Sequence, residues 1–288
     1  MKILSVDVEE WYHLLYPNPI ADKKFKNLES RLDLGINLLL EIFQKYNVKA
    51  TFFTLGCEAK KHPSLIKKIV HSGHEIASHG YSHELISIEP SDYFKSDVKK
   101  SIDILQQITG EKVISYRAPG FSITNKNLWF FEILLENGIQ RDSSIVTGKS
   151  YHGGWPECNE NMPFLIKANG KTIKEFPINT VNILGTRTIF GGGGYFRFFP
   201  YFLVKKWTTQ SNYAMAYFHY RDFDRGQPRI NNLGYFKKFR AYYGISHSLE
   251  KLHTYLNDFD FVDFNQADKI IDWSNVKTID IQNYIAQK

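Results

Sequence analysis

The sequence predicts an α/β domain: a parallel sheet with crossover helices, closed into a barrel-like shape. Three observations predict it. Short β-branched or aromatic runs alternate with helix-length apolar stripes from residue 3 to about residue 142. No part of the chain has a composition of its own, so one domain is the simplest division. At 288 residues the chain can bury one large core, and 43% hydrophobic against 23% charged residues excludes disorder.

Ile3–Val8 reads as a buried strand ending in acids, and a Pro-containing loop follows. Ser30 is placed to cap a helix, with Asp33 three residues on and Leu32, Ile36, Leu39, Leu40 and Phe43 forming one stripe. Lys49–Leu55 is the second strand. Pro63–Ser72 is a helix stopped by Gly73. Glu75–Ala77 is a short strand, and Tyr93–Thr109 a helix with Phe94, Val98, Ile102, Leu105 and Ile108 inward and Gly110 at its end. Val113–Tyr116, Asn127–Glu136 and Ile139–Asp142 continue the rhythm as strand, helix and strand. From about 149 to 200 the rhythm is lost: turn residues, a hairpin-like Ile173–Ile178 and four consecutive glycines, Gly191–Gly194, suggest a loop-rich insertion. Tyr213–Phe218 returns to strand, and Tyr235–Leu256 reads as helix, broken near Gly244.

The charge balance is +6, but basic residues are scattered in pairs such as Lys60-Lys61 and Lys67-Lys68, so no nucleic-acid stripe is expected. Cys57 and Cys158 are the only cysteines and form no C-x-x-C pair, which leans toward a reducing compartment. Met1-Lys2 runs straight into strand-like Ile3–Asp7, too short for the core of a secretion signal. No apolar run approaches the roughly 18 residues that span a bilayer. The expectation is a cytoplasmic protein, with its basic character suited to peripheral association at the inner membrane face.

Acids and imidazoles gather where strands stop: Asp7, Glu9 and Glu10 after the first, His79 and His83 after the third, then Arg117, Asp142 and His219. In a parallel α/β barrel these strand ends face the active site. His79-Gly80-Tyr81-Ser82-His83 is an H-x-x-x-H, which on one helical turn would aim both imidazoles at one cation. A carboxylate from the first strand would complete a two-His-one-carboxylate set with positions left for water and substrate. Along a strand Asp7 and Glu9 share a side and Glu10 faces away. The bland readings are a surface ion pair for Arg117, a turn or cap for Asp142 and a packed core imidazole for His219. His62, His71, His74, His152, His247 and His253 lack partners at useful spacing and read as structural.

The order Asp7-Val8-Glu9, His79-x-x-x-His83, Arg117-Ala118-Pro119, Asp142 and Phe218-His219 resembles the ordered motifs of the polysaccharide deacetylases, carbohydrate esterase family 4. Closer still are the deacetylase-like proteins of bacterial exopolysaccharide and O-antigen clusters. They share the flavour of Ala50-Thr51-Phe52-Phe53, Gly73–His83, Tyr116-Arg117-Ala118-Pro119 and Gly193-Gly194-Tyr195-Phe196-Arg197. The resemblance implies a distorted (β/α)7 barrel across residues 1–288 as a single catalytic domain, with the 149–200 insertion and a helical extension over about 230–288. It implies a divalent metal, Zn2+ first, with Co2+, Ni2+ or Mn2+ also suited, held by Glu9, His79 and His83. Asp7 would be the general base, paired with Arg117, and His219 the general acid, oriented by Asp142. Gly120, whose N–H would face the oxyanion, Tyr195 and Arg221 would meet the substrate. That substrate would be an N-acetylated amino sugar in a glycan or a lipid- or nucleotide-linked precursor.

Several positions depart from the family pattern. Val8 separates two acids where two adjacent aspartates are common, which leaves the metal carboxylate open between Glu9 and Glu10. Gly120 stands where an aromatic is frequent, and Trp155 is a candidate for the aromatic expected after the Asp142 motif. Tyr220-Arg221-Asp222 follows His219 where close relatives show Pro-Trp-Glu. Two rival functions stand beside deacetylation: hydrolysis of another C–N bond, such as a formamide or cyclic imide, and a catalytically inactive glycan-binding module.

Overall fold

A computed structural model describes residues 1–13, 15, 28–148 and 151–285. The Pro-containing loop expected after the first strand lies outside the described residues. The elements run β1 (Lys2–Val8), α1 (Leu32–Lys45), β2 (Thr51–Thr54), α2 (Gly56–Lys61), α3 (Pro63–His71), β3 (Glu75–Ser78), α4 (Ser91–Thr109) and β4 (Ser115–Tyr116). Next come α5 (Trp129–Glu136), β5 (Arg141–Asp142), β6 (Phe164–Ala168), β7 (Lys171–Glu175), β8 (Thr180–Ile183), β9 (Thr186–Ile189), α6 (Gly193–Phe198), α7 (Tyr201–Gln210) and β10 (Ala214–His219). The chain closes with α8 (Tyr235–Tyr242), α9 (Ile245–Asp258), α10 (Phe264–Ile270), β11 (Thr278–Asp280) and α11 (Gln282–Ile285).

One mostly parallel sheet organises the molecule, in the order β10-β1-β2-β3-β4-β5-β7-β6-β11. The expected α/β fold is present. Among the described residues no strand ladder joins β10 to β11, so the curved sheet is not closed by hydrogen bonds. Ser30 does not cap α1: Arg31 holds the cap position without a side-chain bond, and the Ser30 hydroxyl instead donates to Glu10. The 149–200 stretch is more regular than its sequence suggested. β6 and β7 form an antiparallel hairpin whose second strand pairs with β5, and β8 and β9 make a separate ribbon. Lys167 and Lys174, on one side of the hairpin, alternate with the buried Ile166, Ala168 and Ile173 and break the apolar runs that mark a strand in the sequence. The C-terminal stretch adds β11 to the sheet beside its helices.

Alternation along each strand divides the interior in two. Leu4, Val6, Phe52, Ile76, Tyr116, Ala216 and Phe218 pack outward against the helices. Ile3, Phe53, Ala77, Met215 and Tyr217 fill a second cluster on the other face, with Phe176 and Phe264. That second face also carries the ionisable groups, sorted by end. At the strand starts, Glu75 accepts from Ser115 Oγ (2.6 Å), Thr51 Oγ1 (2.9 Å) and Arg141 Nη2 (2.9 Å). α10 covers this end: Phe264 N donates to Thr51 Oγ1, and its ring stacks on Phe176 at 4.4 Å. At the strand finishes lie Asp7, Glu9, His79, Arg117 and His219.

The Glu75–Arg141 pair has no exposed edge through which water could replace a lost partner. Removing one half of such a pair leaves a buried, uncompensated charge, at a cost of about 3–5 kcal/mol. Arg141→Met is therefore expected to lower unfolding free energy by about 3 kcal/mol or more in urea titrations, whereas Glu75→Gln with Arg141→Met recovers part of the loss. Equal stability of Arg141→Met and the wild type would remove this network from the fold's supports.

Candidate active site

Register brings the site together. Asp7 pairs with His219 across β1 and β10, and parallel neighbours in register share a face. Glu9 lies two residues past Asp7 on that same face. From β3, His79 N donates to Thr54 O, and the chain then leaves regular structure. The expected helical turn for His79–His83 is absent: the segment is an irregular loop with left-handed backbone at Gly80 (φ 79) and His83 (φ 61). Asp97 of α4 fixes it, accepting from Tyr81 N (2.6 Å), Ser82 N (3.1 Å) and Ser82 Oγ (2.6 Å). A non-glycine residue at positive φ is strained, and such strain gathers where a side chain must be aimed. Here it turns His83 back toward Glu9.

Glu9, His79 and His83 are all buried, and one ligand atom from each lies within 4.8 Å of the others. Glu9 Oε2 is 2.6 Å from His83 Nε2 and 3.9 Å from His79 Nε2. Neither Glu9 oxygen nor either His83 nitrogen makes a hydrogen bond among the described residues. Buried polar atoms without partners are costly, and a cation at their centre would satisfy them together. His79 Nδ1 faces Arg117 O at 2.7 Å; as the N–H donor there it leaves Nε2 as the lone pair, the outer-shell arrangement that fixes a metal-binding imidazole. Two imidazoles and one carboxylate suit zinc or a similar first-row ion. Burial pulls His79 down to about 4, so the neutral ligand form prevails at neutral pH. For Glu9, burial works against the anion, but His83, His219 and His79 outweigh it and hold the carboxyl far below its ordinary range. Of the two glutamates, Glu9 is the one grouped with His79 and His83. Glu10 turns to the other side, accepting from Ser30 Oγ, Tyr220 Oη (2.8 Å) and Arg31 N.

Asp7 Oδ1 accepts from Arg117 Nη1 at 2.7 Å. The fully buried guanidinium also donates to Ser143 O and Ser143 Oγ, and lies 4.0 Å over the Phe53 ring. His219 Nε2 points into the same space, 3.6 Å from Asp7 Oδ2 and 3.3 Å from Glu9 Oε1. Its other nitrogen, Nδ1, meets Asp222 Oδ2 at 3.2 Å, and the same oxygen accepts from His219 N at 2.9 Å. Arg197 Nε holds Asp222 Oδ1 at 2.9 Å. Burial would lower the imidazole, but Asp222, Glu9 and Asp7 raise it to about 9. Burial would raise Asp222, but His219 and Arg197 pull it to about 2.

Three expected roles need correction. Asp142 does not orient His219. In the ladder Tyr116 pairs with Asp142, and Tyr116 belongs to the outward cluster, so Asp142 projects away from the face that holds His219. Its oxygens accept from Ser144 N (3.0 Å) and Ser144 Oγ (2.7 Å), and Ser144 Oγ in turn accepts from Ala118 N. Burial raises both Asp142, to about 6, and its neighbour Glu175, well above the usual carboxylate range. Asp142 thus buttresses the loop behind Arg117. Arg221 is buried and cannot reach a substrate: it donates to Trp11 O, Gln227 Oε1 and Ala241 O. Trp155 is wholly buried, edge-on to Tyr284 at 5.0 Å, so it is no sugar platform. Gly120 holds φ 63 in the turn after β4, where an added Cβ would come within 3.1 Å of His152 and Leu85. Tyr195 is exposed on α6.

Asp222 and Arg197 are the residues that sequence reasoning missed in these positions. The available signal was spacing, since an acid three residues after a strand-ending histidine can close a short helical turn on it. His13 was also missed: buried, with its ring 5.3 Å from that of His83 and its Nδ1 accepting from Glu10 N at 3.0 Å. A loop histidine beside an uncapped strand end carries no periodic signal.

Comparison with known proteins agrees with this geometry. Residues 35–134 match the model of the polysaccharide deacetylase family, and residues 143–269 match a domain of unknown function, DUF3473. A peptidoglycan deacetylase of Helicobacter pylori is 32% identical over 114 residues, 40% of this chain and 38% of that protein. A peptidoglycan-N-acetylglucosamine deacetylase of Bacillus cereus is 35% identical over 95 residues, 33% of this chain and 34% of that protein. The chain therefore matches little more than a third of either relative's length. Among solved structures, one from Mycobacterium smegmatis described as a candidate polysaccharide deacetylase superposes with a TM-score of 0.64 at 19% identity, covering 96% of this chain and 91% of that one; it shares the fold. The His79–His83 loop and Arg117 fall inside the family match, so over residues 35–134 the chain is similar to the polysaccharide deacetylase family, and its fold is that of the Mycobacterium smegmatis structure.

Proposed function

We propose that this chain hydrolyses the N-acetyl group of an amino sugar in a bacterial surface polysaccharide or its precursor, using a divalent metal held by Glu9, His79 and His83. The observation that carries the reading is the convergence of Asp7 and His219 beside the Glu9–His79–His83 group, His219 Nε2 lying 3.6 Å from Asp7 Oδ2 and 3.3 Å from Glu9 Oε1. An amide is a poor electrophile and an amine a poor leaving group, so the reaction needs help at both ends. When bound, the ion supplies Lewis acidity that polarises the acetyl carbonyl and lowers the pKa of water from about 15.7 toward 7. Asp7, aimed by the hydrogen bond from Arg117, receives the proton of the attacking water. His219 Nε2 delivers a proton to the departing nitrogen as its C–N bond breaks, leaving acetate and a free amine. Asp222 accepts from Nδ1 and so fixes the ring's tautomer and stabilises its charged form, the part an acid plays behind a catalytic histidine elsewhere. Gly120 N–H and Tyr195 are candidates for contacts to the acetyl oxygen and the sugar.

Four outcomes test this reading. His79→Ala or His83→Ala should leave purified protein with a small fraction of the wild-type metal by elemental analysis, and undiminished occupancy in both would discard the assignment. Asp7→Asn should keep its metal and lose turnover of an acetylated amino-sugar oligomer, read as acetate release; a panel with formylated and imide substrates separates the rival C–N hydrolases. His219→Ala should lower kcat by at least ~10²-fold, the low end for a general acid. The last outcome concerns pH. His219 is lifted to about 9, so the acid form dominates below that pH, and turnover should fall as pH rises through it. Asp222→Asn removes a raising partner; the alkaline limb should move to lower pH and kcat should drop while KM holds. An unmoved limb with unchanged kcat would strip Asp222 of its part.

A further inference from the structure

Helix α8, Tyr235-Phe236-Lys237-Lys238-Phe239-Arg240-Ala241-Tyr242, is built the wrong way round for a helix on a globular surface. Tyr235 is 95% exposed, Phe236 68% and Phe239 44%, and Tyr243 at its end is 49% exposed. Only Ala241 is buried. At about 100° per residue, the exposed aromatics Tyr235, Phe236 and Phe239 occupy an arc of roughly 100° whose centre lies nearly opposite Ala241. Lys238 flanks one side of that arc and Arg240 the other, with Lys237 beyond it. Phe198 of α6, itself 49% exposed, extends the patch, its ring 6.0 Å from Phe239 and 5.8 Å from Tyr243. An exposed apolar patch of this breadth marks an interaction site.

Charge narrows the partner. Between Phe176 and Leu249 the only acids are Asp222 and Asp224, set against Arg187, Arg197, Lys205, Lys206, Arg221, Arg225, Arg229, Lys237, Lys238 and Arg240. Both acids are buried and paired inward, Asp222 with Arg197 and Asp224 with Arg31. Arg197 and Arg221 are buried, and Arg225 and Lys205 pair with Glu250 and Asp258, so the cations that bear on the aromatic face are those of α8 itself, Lys237, Lys238 and Arg240, with no acid on the helix to offset them. An aromatic arc flanked by cations, on a helix standing out from the surface, matches the plane of an anionic bilayer: rings enter at headgroup depth and cations meet lipid phosphates. A sugar platform would instead set rings in a concave wall.

We propose that α8, with Phe198, docks this protein onto an anionic membrane surface. The docking helix is fastened to the site already described. Arg197, which holds Asp222 behind His219, donates its other N–H groups to Tyr243 O (2.5 Å) and Arg240 O (2.8 Å) at the end of α8. Membrane docking would therefore hold the acid–base pair at a fixed height above the bilayer. This suits a lipid-linked glycan; that last step rests on the proposed deacetylation, whereas docking itself does not.

The test is flotation of the full-length, metal-loaded protein with vesicles of phosphatidylglycerol and phosphatidylcholine, and with pure phosphatidylcholine vesicles. The wild type should partition onto the anionic vesicles and be released by salt. Lys237→Gln with Lys238→Gln should weaken that binding about fivefold for each cation removed. Tyr235→Ser with Phe236→Ser should weaken it as well, with kcat/KM for a soluble acetylated oligosaccharide unchanged in both. Equal flotation of wild type and variants, or no preference for anionic lipid, overturns the proposal. A rise in KM for the soluble oligosaccharide would make the patch a glycan platform instead. A dimer seen by sedimentation without lipid and lost in the variants would make it a self-association surface. Because flotation needs no turnover, failure of docking and failure of the deacetylase reading are read separately.

Discussion

The guanidinium of Arg117 sits in the protein interior with no water to share its charge, and the centre of the molecule is arranged around that fact. One side of it meets Asp7, another meets Ser143, and its face lies on Phe53. Its own backbone carbonyl takes the Nδ1 side of His79. A buried cation must be paired and hydrogen-bonded on every side. Satisfying that demand locks the carboxylate of β1, the loop after β3 and the loop after β5 at mutual distances of one hydrogen bond. The layer behind it, Asp142 with Glu175 and Ser144, supports the same loop through Ala118 N. Asp142 thus supports the loop through the backbone, on the face away from Asp7 and His219.

The two ends of the sheet divide the work. Strand starts carry a closed network in which Glu75, Arg141, Ser115 and Thr51 satisfy one another under α10. Strand finishes carry atoms left without partners, Glu9 Oε1, Glu9 Oε2 and the His83 nitrogens. Completeness at one end is structural, and the unsatisfied atoms at the other end make up the candidate metal group. The positive φ at His83 belongs to the same economy of positions, since only a strained turn returns that ring to Glu9 two strands away.

The C-terminal part of the chain enters the site through Arg197 and Asp222. Arg197 joins β10's histidine, through Asp222, to the carbonyls at the end of α8, so the His219 imidazole and the aromatic helix α8 share one support. Gly244 makes the junction feasible. At φ 75 it lies so close that an added Cβ would come within 2.6 Å of Arg197 O.

Much of the fold and most of the site were legible in the sequence, for reasons of period and order. Apolar stripes set α1, α3 and α4, strand-like runs set β1 to β3 and β10, and alternation put Asp7 with Glu9 and turned Glu10 away. Residue types at strand ends marked Glu9, His79, His83, Arg117 and His219 as one group, because parallel strands finish at a common end. The tertiary structure alone decided matters that depend on which strands are neighbours and in what register. It put Asp142 on the outer face, gave the Nδ1 of His219 to Asp222, closed Arg221 among carbonyls and buried Trp155. A linear sequence states which way a side chain alternates within its own strand. It does not state which strand lies beside it, and that adjacency chooses each charge's partner.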